Sequence, residues 1–145
     1  MSDNSGNGRI VVGFDGSPQS EAALAWAIGE ARLRGRALRV IHAFPSVVSI
    51  MGHPDPEYYA RAQNEAKTGM EQSLAKGPSL EGLDVEKIVE EGKPSEVLVD
   101  ASRGADLLVV GSRGRGAFRG MLLGSVSWHC VHQAHCPVVV LPDED

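Results

Sequence analysis

Aromatic residues are scarce in this chain of 145 residues: two Trp, two Tyr and three Phe. A core must therefore come mainly from Val, Leu, Ile and Ala. There are only two cysteines, Cys130 and Cys136, too few for a disulfide framework. The longest apolar stretches, around Leu107–Val110 and Val138–Leu141, fall far short of the roughly 20 residues a membrane helix needs. Residues 1–8 have neither a basic nor an apolar signal region and are expected to form a disordered lead-in. Positive charge is also in deficit, with 14 Lys and Arg against 19 Asp and Glu and a net charge of −5. That balance argues against a broad nucleic-acid surface. The expected address is the cytoplasm, with neither membrane nor nucleic acid as partner.

What the chain does have is alternation. Short β-branched runs take turns with helical patterns, the mark of βαβ units and a parallel sheet. Arg9–Phe14 reads as a first strand, apolar at its centre as a doubly covered strand is. Asp15-Gly16-Ser17-Pro18 breaks it, with Ser17 as N-cap and Pro18 at the first helical position. Leu24, Ala27, Ile28 and Ala31 follow at i, i+3, i+4, i+7, and Gly35 ends the helix. Ala37–Phe44 is the second strand, and residues 45–56, rich in Pro and Gly, form a loop. A second helix is expected over 57–76, with Tyr59, Ala62, Ala66, Met70 and Leu74 on one stripe. The third strand is Leu83–Glu91, and the third helix points Val97, Leu98 and Ala101 inward. Ala105–Val110 is the fourth strand, Ser125–Ala134 the fourth helix and Pro137–Leu141 the fifth strand; the Asp143-Glu144-Asp145 tail frays. Right-handed crossovers turn these units into one domain over 9–142. It is a doubly wound open sheet of five parallel strands, order 3-2-1-4-5, with helices on both faces. Ligands of such sheets sit at the carboxyl ends of the strands.

The segment Gly111–Ser127 carries the chemistry. It leaves the apolar strand Leu107-Leu108-Val109-Val110, runs through glycines and opens a helix. Glycine permits positive φ and close approach of backbone N–H groups to a ligand. The helix start adds unsatisfied N–H groups and partial positive charge, which suits phosphate. Ser125 and Ser127 add hydroxyls there, and Arg113, Arg115 and Arg119 place three cations where they could clamp phosphates or simply be solvated.

The spacing of Gly111, Gly114 and Gly124-Ser125 resembles the pattern of ATP-binding universal stress proteins: glycine, two residues, glycine, nine residues, glycine and serine or threonine. The resemblance extends over the chain through Val12-Gly13-Phe14-Asp15-Gly16-Ser17, Gly92-Lys93-Pro94 and Cys136-Pro137-Val138. It implies that Asp15 flanks the adenosine and Ala43 meets adenine. Gly111 and Gly114 would line ribose and phosphate, while Gly124, Ser125, Val126 and Ser127 hold the phosphates. It further implies ATP as ligand, a symmetric homodimer through Val138–Leu141, and a role in stress or dormancy. The bare apolar edge strand points to the same dimer. Mg²⁺ or Mn²⁺ is expected to arrive with the phosphates rather than in a protein cage.

Rival readings fare less well. Asp15 is either a turn residue bonding its own backbone or a ligand contact. A receiver-domain phosphoacceptor is the third and least favoured reading, because Phe14 stands where a paired acid is needed and strand three ends in Glu90-Glu91-Gly92. A dinucleotide fingerprint belongs after the first strand, not the fourth, and no Gly-Lys-Ser or Gly-Lys-Thr occurs for a P-loop. His129, Cys130, His132, His135 and Cys136 invite a metal reading, but Pro137 breaks the helix and core packing explains them more simply. His42, inside an apolar strand, reads as a core or pocket-rim residue. No catalytic residue is assigned, and two functional classes stay open. One is a nucleotide-responsive module that regulates a protein partner; the other is a slow ATPase or phosphotransferase, which would need positioned groups beyond Asp15. Cyclic AMP is an alternative ligand.

Overall fold

The computed structural model describes residues 8–45, 56–113 and 123–142. The expected lead-in, the centre of the 45–56 loop, Gly114, Arg115, Arg119 and the acidic tail lie outside these, apart from Gly8. Five parallel strands, β1 (Arg9–Gly13), β2 (Ala37–Phe44), β3 (Val85–Glu91), β4 (Leu107–Gly111) and β5 (Val138–Leu141), form one sheet of order β3-β2-β1-β4-β5. Four helices cross between them: α1 (Pro18–Arg34), α2 (Pro56–Lys76), α3 (Pro94–Ala101) and α4 (Ser125–Gln133). Strand order, sheet type and helix number are as the sequence pattern predicts.

The core lies in two layers, one on each face of the sheet. Ile10, Val12, Leu38, Val40 and Val109 pack against Leu24, Ala27 and Ile28 of α1 and Met70 and Leu74 of α2. Val11, Ile41, Leu108 and Val110 point to the other face and meet Leu98 of α3 and Cys130 of α4. Alternate side chains of one strand thus feed both layers, so central strands read as unbroken apolar runs. Strand β1 is the hinge of this arrangement, paired with β2 (Val12 opposite Val40) and β4 (Val12 opposite Val109).

The first helix follows its sequence signals closely. Ser17 caps it, its Oγ accepting the Ser20 N–H at 3.1 Å. Leu24, Ala27, Ile28 and Ala31 are all buried, and Gly35 closes the helix. The stripe of α2 narrows relative to expectation: Ala66, Met70 and Leu74 are buried, whereas Tyr59 is 40% exposed. Tyr59 lies in the first turn of that helix, and its ring meets Phe44 edge-on at 5.5 Å. Strand β3 begins two residues later than expected, because Leu83 is held in a turn by its N–H to the Leu80 carbonyl at 3.0 Å.

Candidate functional site

Parallel topology brings the carboxyl ends of β2, β1 and β4 side by side and starts each following helix at that same edge. The positive ends of the helix dipoles therefore converge where the strands stop. Asp15 sits in the turn from β1 to α1. Its Oδ1 accepts the Ser17 N–H at 2.9 Å, and its own N–H donates to Ser20 Oγ at 3.2 Å. Gly16 between them takes φ 85°, a conformation with a steric cost for residues bearing Cβ. The turn role of Asp15 is thus real, and it fixes the carboxylate at the mouth of the β1 exit. Ala43, half-buried at the penultimate position of β2, stands opposite Glu90 of β3. His42 points to the other face, its ring 6.0 Å from that of Phe14.

Gly111 ends β4 and needs to be glycine for a reason other than positive φ. A Cβ there would lie 2.9 Å from Gln19 Cβ and 3.0 Å from the Gln19 carbonyl oxygen. Its smallness lets the first turn of α1 lie directly on the β4 exit. Gly124 likewise has an ordinary φ of −74°; it is the buried N-cap of α4 and offers no side chain to cap it. Ser125, exposed, and Val126, half-buried on the second core layer, follow in the first turn. The backbone N–H groups of this turn are those a helix leaves without internal partners.

Ser127 occupies the same turn but spends its hydroxyl inward. The buried Oγ donates to the Ser112 carbonyl at 2.8 Å and lies 3.1 Å from the Gly124 carbonyl. Ser112, which motif reasoning passed over, ties the site together. Its N–H reaches the Leu141 carbonyl at 2.8 Å, and its own carbonyl also accepts the Gly124 N–H at 2.7 Å. One residue thus couples the ends of β4 and β5 to the start of α4. Nothing in its side-chain chemistry signals this, because the knot is made of backbone. The placing of Glu90 beside Ala43 comes from strand register alone, which no motif reports. Arg113, half-buried, is the last described residue before the loop; Gly114 lies outside the described residues.

The histidine- and cysteine-rich helix divides by face. Cys130 is fully buried, and burial, reinforced by the nearby Cys136, raises its thiol from 9.0 to about 11. Burial and then Asp106 raise Cys136 as well. His129 and His132 turn outward, each Nδ1 2.8 Å from the carbonyl four residues back, with Trp128 stacked on His132 at 4.0 Å. Among the described residues, no three His, Cys, Asp or Glu side chains are grouped to hold a metal ion. No helix among them is long and apolar enough to cross a membrane.

Comparison with known proteins gives a consistent set of likenesses. The description "Universal stress protein family" matches residues 6–142. The chain is 42% identical over 132 residues to universal stress protein Rv2005c of Mycobacterium tuberculosis, covering 90% of this chain and 44% of the relative. It spans about half the length of the curated relatives it matches. Among solved structures it is similar to a universal stress protein in complex with cAMP (28% identity, TM-score 0.62, covering 92% of this chain and 95% of that one). It is also similar to the universal stress protein of Archaeoglobus fulgidus in complex with dAMP (27% identity, TM-score 0.65, covering 92% and 96%).

Proposed function

The chain belongs to the universal stress protein family, and from that premise we propose that it is an adenine-nucleotide-binding module acting by nucleotide-dependent regulation of a protein partner. The observation that carries this reading is the uncapped first turn of α4, entered from glycine at the carboxyl edge of the sheet. Its N–H groups at Ser125, Val126 and Ser127 take the phosphates, with Ser125 adding a hydroxyl and Arg113 a cation. Ser127 acts through its backbone, since its hydroxyl belongs to Ser112. Gly111, with Gly114 beyond it, lines ribose and phosphate, Asp15 flanks the adenosine, and Ala43 meets the base.

ATP is the proposed ligand. Mg²⁺ or Mn²⁺ would come bound to the phosphates. The family's solved complexes with cAMP and dAMP support an adenine nucleoside monophosphate as the shared element, and the cAMP complex makes cyclic AMP the second reading. The proposal includes a homodimer through β5 and a cytoplasmic location.

Calorimetric titration with Mg-ATP and with cyclic AMP tests the site, using the native protein and a Gly124→Val/Ser125→Ala variant of matched melting temperature. Binding by the native protein that falls more than tenfold in the variant is expected. Preference for cyclic AMP selects the second reading, and absence of heat with either ligand removes the nucleotide assignment.

A further inference from the structure

The other end of the sheet holds a second concave feature. A cleft of about 790 Å³ opens at the amino ends of β1, β2 and β3, bounded by the α1–β2 turn and the segment around Gly82. Four arginines line it, Arg9, Arg32, Arg36 and Arg39, against two acids, Asp84 and Glu86. In a chain of net charge −5, this is a local reversal of sign. Its volume lies in the range of small-molecule sites.

The arginines are not equally committed. Arg36 pairs with Asp106 at 2.8 Å, and Arg39 pairs with Glu86 at 2.8 Å. Arg32 directs Nη1 to the Glu81 carbonyl at 2.8 Å and Nη2 to the Ser79 carbonyl. Those carbonyls pin the β3 approach but leave the guanidinium charge without a carboxylate among the described residues. Its place in the last turn of α1 offsets part of that charge through the helix dipole. Arg9 has no such account. Its Nε is buried without a hydrogen-bond partner among the described residues, and no described carboxylate pairs with it. Arg9 begins β1 opposite Ala37, and Arg39 lies two residues farther along β2, so both project on the same face of the sheet as diagonal neighbours. Glu86, the partner of Arg39, is more than half exposed, and an ion pair with a solvent-exposed member contributes little. Arg9 and Arg39 thus line one cleft as strand neighbours, one without a described carboxylate and one paired to an exposed acid, and the guanidinium fork is the group suited to bidentate capture of oxyanions.

We infer that this cleft is a second ligand site, for a small multiply charged oxyanion bearing phosphate or carboxylate groups, held by Arg9 and Arg39. It lies across the sheet from the nucleotide site and shares no residue with it. Strands β1 and β2 run from one site to the other, so occupancy of either end bears on the same two strands.

Inorganic pyrophosphate and citrate are the probes. Each is titrated calorimetrically into the Gly124→Val/Ser125→Ala variant, so that heat from the first site is removed, and again after adding Arg9→Gln and Arg39→Gln. The expected result is binding of at least one anion, weakened tenfold or more by the arginine substitutions. Pyrophosphate identifies a phosphate ligand and citrate a carboxylate one. No binding of either, or binding indifferent to the arginines, overturns the inference. If the quadruple variant melts early, amide shifts of the native protein decide the matter. Perturbation by the anion at Gly8, Ala37 and Gly82 supports the site, and perturbation confined to 124–127 overturns it. Neither outcome depends on whether ATP binds.

Discussion

A methyl group added at position 111 would press on both the side chain and the backbone of Gln19, and neither is the flexible end of a long chain. Gly111→Ala should therefore cost about 1–3 kcal/mol, the usual range for overpacking a well-filled site. Gly29 supplies the contrast. It lies mid-helix in α1, and a Cβ there meets nothing within 4 Å. Gly29→Ala should stabilise by about 0.5–1 kcal/mol through helix propensity alone. Urea denaturation of the two variants checks both signs, and equal effects would contradict the packing argument. Cys130 yields a pH dependence. Its folded-state thiol is raised to about 11 from 9.0, so above pH 9 the unfolded chain loses this proton while the folded chain keeps it. The associated stability is complete below pH 9 and is lost as pH rises to about 11. A Cys130→Ala variant should lack that part of the alkaline decline, measured as unfolding free energy from pH 8 to 11.

At the scale of elements, α1 owes its start to one hydroxyl. Ser17 Oγ accepts the Ser20 N–H, while Asp15 Oδ1 holds the Ser17 N–H. Ser17→Ala should cost about 1 kcal/mol of stability, as loss of an N-cap generally does. The Asp15 turn holds Ser17 by its backbone N–H, which alanine keeps, so nucleotide affinity should change little while stability falls; calorimetry beside thermal melting reads both. Helix α4 is built the opposite way, its first turn left without a side-chain cap. Both helix beginnings are legible in the sequence, Ser17-Pro18 as a cap and Gly124-Ser125 as a glycine entrance. That Ser127 turns away from the uncapped end is not legible, because its partner is the Ser112 carbonyl, fifteen residues back. The narrowing of the α2 stripe at Tyr59 is likewise invisible to periodicity, which cannot tell where the sheet beneath a helix ends.

For the molecule as a whole, β5 is the element left unfinished. It is four residues long, half-buried throughout and paired only with β4 among the described residues. The carbonyls of Pro137 and Leu141 point inward to accept from Leu108 and Ser112. By the alternation of a strand, the polar groups of Val138 and Val140 face outward, where a second chain would pair. Light scattering should give twice the 15.4 kDa chain mass. Val140→Pro removes an outward N–H, a position where proline is tolerated at a sheet edge, and should return the mass to that of the monomer. A single-chain mass for the native protein at all concentrations would refute the dimer.

The sequence by itself determined the alternation of strands and helices, their parallel order and the carboxyl edge that carries the proposed site. Each follows from local signals: β-branched runs, i to i+4 spacing, Ser17-Pro18, and the glycines from 111 to 124. Only the tertiary structure decided how those residues are used. It showed that Gly111 makes room for Gln19 rather than for an unusual φ. It gave Ser112 three backbone ties, set Glu90 opposite Ala43, and gathered Arg9, Arg32, Arg36 and Arg39 around one cleft. These are contacts between segments distant in the chain. A sequence pattern reports the period and chemistry of one element, whereas strand register and the closeness of helix to sheet are fixed only when elements pack together.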